Sequence, residues 1–230
     1  IMKNLLSNTA LTLILSGSML LSSGCTSSFD DLNTNPDATT KVNSSMLATG
    51  IILNMVKSSS YWKNEFLAKR MFWGEQMDDI QYNRFGRSDF SGIQSLISAQ
   101  KMMELSTDIY KDAYTGLFYF MKGWYFWRAT METGDIPYSE ALDIDNFPYP
   151  KYDEQKDVFK GVLSDLALAD EYFGKATGNF SGDPFYNGNP KKWRKATNVL
   201  RLKVLMSLQK RAEDTPELKV KETFAQIVQA

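Results

Sequence analysis

The chain has 230 residues, 43 % of them apolar and 13 % aromatic, enough to build a real core and to make one large domain or two small ones. With 26 Lys and Arg against 27 Asp and Glu, the net charge of −1 gives no general electrostatic grip on nucleic acid. Histidine is absent and cysteine occurs once, which removes Ser-His-Asp and Cys-His nucleophilic sites, His-ligated zinc and an internal disulfide.

Residues 1–29 hold no Asp or Glu, one charge at Lys3, and an apolar stretch from Ala10 to Leu21 diluted by Thr12, Ser16, Gly17 and Ser18. This pattern reads as a bacterial export signal, and the stretch is shorter than the roughly 20 residues a spanning helix needs. The translated start is read as Met2. Leu21-Ser22-Ser23-Gly24-Cys25 follows, and it resembles a lipobox, in which Cys25 becomes lipid-modified and the new N-terminus after cleavage. That gives a signal peptide over 1–24, a lipidated cysteine and extended Ser/Thr/Asn/Asp tether over 25–45, and a helical domain over 46–230.

Within the helical part, Met46 to Val56 is an apolar-rich run, and Tyr61 to Tyr82 repeats apolar residues at three- and four-residue steps. Gly86 to Gly92 reads as a loop, followed by helices over Ile93 to Leu105 and Ile109 to Thr133, with Gly134 as a C-terminal stop. Three prolines between Asp135 and Pro150 predict a structured turn. Asp153 is then placed as an N-cap for a helix whose apolar stripe is Val158, Val162, Leu166, Ala169 and Phe173. After a Gly-rich loop, Asn189-Pro190 reads as an N-cap with proline at the first helical position, opening a helix to about Ala212. A last helix starts near Pro216, and because the chain stops inside it we expect a truncated product, incomplete at the C-terminus. Strand signals are sparse, so the class is all-α.

Three segments resemble the SusD/RagB family of nutrient-binding outer-membrane lipoproteins of Bacteroidetes. They are Leu32 to Asp37; Gly123-Trp124 through Gly134-Asp135-Ile136-Pro137-Tyr138-Ser139-Glu140-Ala141-Leu142 and Pro150 to Gln155; and Asp183 through Tyr186-Asn187-Gly188-Asn189, Lys192-Trp193 and Asn198 to Lys203. The resemblance covers nearly the whole chain after Cys25 and matches the N-terminal half of such proteins. It implies a tetratricopeptide-like superhelix of helix pairs, a lipid anchor in the outer membrane, an oligosaccharide or peptide ligand, and a SusC-like TonB-dependent transporter as partner. No cofactor, metal or nucleic acid is implied, and no catalysis.

The ligand site is expected where a helix gives way to a loop: Trp73, Asp78, Asp79, Tyr82, Asn83 and Arg84. A sugar needs an aromatic face for its C–H surface and carboxylate, amide or guanidinium groups for its hydroxyls. The aromatic residues from Phe118 to Trp127 lie nearly all round one helix and are read as core. Gly134 to Tyr138 is read as structural, and Asp143-Ile144-Asp145-Asn146 lacks the spacing of a calcium loop. Eight basic residues and no acid lie between Lys191 and Arg211. They are read as a face balanced by acids of Asp153 to Tyr172, with a partner-binding or anionic-ligand surface as the alternative. An exported glycoside hydrolase needs only two carboxylates and is the rival function, a non-binding helical-repeat adaptor the third.

Overall fold

The computed structural model describes residues 41–57, 65–66, 68–72, 74 and 90–229. The chain divides into two units, Ile1–Val42 and Asn43–Ala230, and the account below concerns the second. Its described residues form six α-helices: α1 Ser44–Val56, α2 Ser91–Glu104, α3 Lys111–Thr133, α4 Gln155–Lys175, α5 Pro190–Ser207 and α6 Val220–Gln229. Among the described residues there is no strand, only one antiparallel bridge between Ile136 and Asp153.

Each helix packs on the one before and the one after it, and α3 also touches α5. The sense of packing follows from residue pairs. A Cβ added at Gly116 would meet the ring of Phe173, and one at Gly123 would run into Leu166 at 2.6 Å. These glycines lie seven residues apart on α3 and their partners seven apart, in reverse order, on α4, so the two helices run antiparallel at close approach. Phe120 meets Trp193 and Trp127 meets Lys203, so α3 and α5 run in the same direction. Antiparallel neighbours with every second helix aligned make the stacked helix-pair arrangement of tetratricopeptide-like folds.

The core is centred on α3. Leu117, Phe118, Phe120, Met121, Phe126 and Trp127 are buried on it, and Trp124 and Tyr125 are partly covered. A helix apolar on nearly all sides must have neighbours on several, and α2, α4 and α5 supply them. On α4, Val158, Val162, Leu166, Ala169 and Phe173 are all buried, as their spacing predicts. On α6, Val220 is buried and Ile227 packs against the core, whereas Phe224 and Val228 are 37 % and 62 % exposed.

Helix ends agree with local chemistry at several points. Gly134 ends α3 at φ 85°, a conformation that costs a side-chain-bearing residue strain. Asn189 caps α5, its side-chain oxygen accepting the N–H groups of Lys191 and Lys192 at 3.0 and 3.3 Å ahead of Pro190. Asn189→Ala is expected to lose about 1 kcal/mol of stability. A urea unfolding midpoint unchanged from the parent would show that the cap contributes nothing.

Other boundaries differ from expectation. Asp153 does not cap α4, because the chain of 134–138 runs beside it and the Asp153 N–H donates to the carbonyl of Ile136 at 3.0 Å. The carboxylate consequently accepts from the N–H groups of Tyr138 and Ser139 and from the Ser139 hydroxyl. Asp135 takes the capping role from outside the helix, accepting the Gln155 N–H at 2.8 Å. The helix expected over 61–82 is described only in part. Glu65 and Phe66 are helical, but residues 68–72 turn out of the helix, with Lys69 at φ 56° and the Glu65 carbonyl accepting from Arg70. Helix α2 begins at Ser91, so Gly92 lies inside it rather than in a loop. A 3₁₀ turn over Asp108–Tyr110 precedes α3. Helix α5 ends at Ser207, where a tightened turn buries Leu208 and continues as 3₁₀ over Gln209–Arg211.

Candidate functional site

Trp73, Asp78, Asp79, Tyr82, Asn83 and Arg84 lie outside the described residues, as does Cys25. The described residues flanking that segment include Phe72, 73 % exposed, and Phe90, whose ring meets Tyr152 edge-on at 6.5 Å. Next to Phe90, the start of α2 and the C-terminal half of α3 enclose a recess of about 200 Å³ lined by Gly92, Tyr125, Arg128 and Glu132.

The larger concavity is a groove of about 520 Å³ between α3 and α5. Its floor is Phe120 and Trp124 from α3, Tyr186 from the preceding loop, and Ala196, Val199 and Leu200 from α5; Lys192, Lys195 and Lys203 line it as well. Lys203 holds its ammonium 5.3 Å above the Trp127 ring, a cation–π contact. The indole N–H groups of Trp124 and Trp127 are buried without an acceptor among the described residues.

The basic stretch is balanced only in part by α4. Arg194 forms a two-point pair with Asp170, at 2.9 and 3.2 Å, and its guanidinium is held charged above its ordinary range by those hydrogen bonds. Arg201 bonds to Asn198, which in turn bonds Asp170, and burial pushes its guanidinium pKa down. Lys192, Lys195 and Lys203 have no carboxylate within ion-pair distance among the described residues. The sequence signal for the groove was present as Lys192, Lys195, Val199 and Lys203, spaced along one helix face. What it could not show was the aromatic floor brought alongside by α3.

Two buried carboxylates organise the rest of the chain. Asp165, 4 % exposed, accepts from Lys122 at 3.1 Å and from the Tyr138 hydroxyl at 2.7 Å. Burial raises its pKa above the ordinary carboxylate value, outweighing Lys122, and burial likewise raises that of Tyr138. Asp183, in the loop before α5, accepts three backbone donors of that loop and the Trp193 indole N–H of α5. The Gly134 to Tyr138 segment is therefore structural, with Ile136 fully buried and Tyr138 tied to α4. Asp143 turns its carboxylate onto Asn146 of its own loop. Among the described residues no helix is long and apolar enough to cross a membrane.

Comparison with known proteins gives a consistent result. A family model described as starch-binding and associating with the outer membrane, SusD-like, matches residues 36–230. A SusD homologue from Bacteroides fragilis is 48 % identical with a TM-score of 0.77, covering 82 % of this chain and 41 % of its own. A second SusD homologue from the same species is 36 % identical with a TM-score of 0.65, covering 73 % and 36 %. A candidate nutrient-binding outer-membrane protein from Bacteroides vulgatus is 31 % identical with a TM-score of 0.64, covering 74 % and 37 %. This chain thus spans well under half the length of these relatives, and no curated protein matches it. Matched over residues 36–230 in sequence and sharing the stacked helix pairs of these structures, the chain belongs to the SusD-like family.

Proposed function

We propose that this chain belongs to a lipid-anchored outer-membrane protein at the cell surface that captures a nutrient oligomer and hands it to a SusC-like TonB-dependent transporter. The oligomer is a glycan in the first place and a peptide in the second, and the protein performs no chemistry on it. The observation that carries this reading is the family match over residues 36–230. Leu21-Ser22-Ser23-Gly24-Cys25 supports the anchor, since a small-residue run ending in Gly-Cys directly after an apolar stretch resembles a lipobox. Trp73, Asp78, Asp79, Tyr82, Asn83 and Arg84 are the residues assigned to the ligand, on their chemistry: one aromatic face with carboxylates, an amide and a guanidinium.

Labelled palmitate is expected to enter the protein in a bacterial host, and Cys25→Ala to release it from the membrane fraction; an unlabelled parent would remove the anchor. For binding, maltoheptaose serves as the probe. Trp73→Ala is expected to weaken its affinity at least tenfold while the reducing-end count stays constant on incubation. New reducing ends that disappear in Asp78→Asn or Asp79→Asn would overturn the binding reading in favour of a glycoside hydrolase.

A further inference from the structure

We draw no further inference here: the strongest candidate, the exposed apolar patch of Ile144, Phe147, Tyr149 and Tyr152 in the loop between α3 and α4, carries nothing, because nothing in the structure shows what covers it.

Discussion

Replacing Asp183 with alanine is expected to destabilise the fold by about 3–5 kcal/mol, because a charged acceptor is removed from several donors that have no other partner. One carboxylate oxygen accepts the Phe185 N–H at 2.9 Å; the other accepts the N–H groups of Tyr186 and Gly188 and the Trp193 indole N–H at 2.8 Å. Asp183 is 8 % exposed and Trp193 2 %, and the bonds from Gly188 and Trp193 are buried, so those two donors are shut off from water. The loop it organises is already tightly specified. Gly188 sits at φ +66°, where a Cβ would fall on the Phe180 carbonyl, and it accepts the Phe180 N–H at 3.1 Å. Trp193 is the anchor that passes this order into the core, with the rings of Phe120, Phe173 and Tyr186 around it. Asp183→Asn should cost less than the alanine change, since its amide oxygen keeps the three donors on one side while its NH₂ faces Phe185. Chemical denaturation of both variants checks this. An alanine variant within about 1 kcal/mol of the parent, the worth of one ordinary hydrogen bond, would show that the loop is not held by Asp183.

Asp165→Ala is the second substitution with a large expected effect, about 3–5 kcal/mol, the usual consequence of removing one member of a buried ion pair. It leaves the Lys122 ammonium without its carboxylate and the Tyr138 hydroxyl without its acceptor. A Lys122→Met/Asp165→Leu double variant should recover much of the loss, because the cost lies in the uncompensated charge rather than in the missing attraction. Failure of the double variant to improve on the single one would locate the cost in lost packing.

The pH dependence has a definite sign. Burial raises the Asp165 pKa in the folded state, so the folded chain holds that proton more readily than the unfolded one. Its contribution to stability is therefore greatest below the ordinary carboxylate value and declines as pH rises through the raised one. The stability difference between the parent and Asp165→Asn should accordingly narrow as pH rises across that window, and a difference that widens would reverse the assignment. Asp153 acts in the opposite sense. Burial favours its neutral form, but the Ser139 N–H and hydroxyl, the Tyr138 N–H and Lys151 together lower its pKa. Its contribution is present above the ordinary value and lost as pH falls through the lowered one.

The sequence by itself determined the helices whose signals are local. The α4 stripe, the Asn189-Pro190 start of α5 and the Gly134 stop of α3 each depend on residues within a turn or two of one another, where periodicity and capping chemistry act directly. The encircling apolar surface of α3 likewise identified it as an inner helix, since nothing but neighbours on several sides can cover it. Tertiary structure decided what depends on distant segments. Asp153 carries a cap-forming side chain, yet a strand-like crossing by Ile136 placed other donors closer, and Asp135 reached in to serve the helix instead. The basic stretch had the composition of a solvated, balanced face, but the antiparallel approach of α4 brought an acid only to Arg194. Lys192, Lys195 and Lys203 were left beside Trp124 and Phe120, which come from a helix some seventy residues earlier. Charge and hydrophobicity are properties of single residues and can be read along a chain. A groove is a relation between two helices, set by which faces the close α3–α4 contact at Gly116 and Gly123 leaves for α5 to cover.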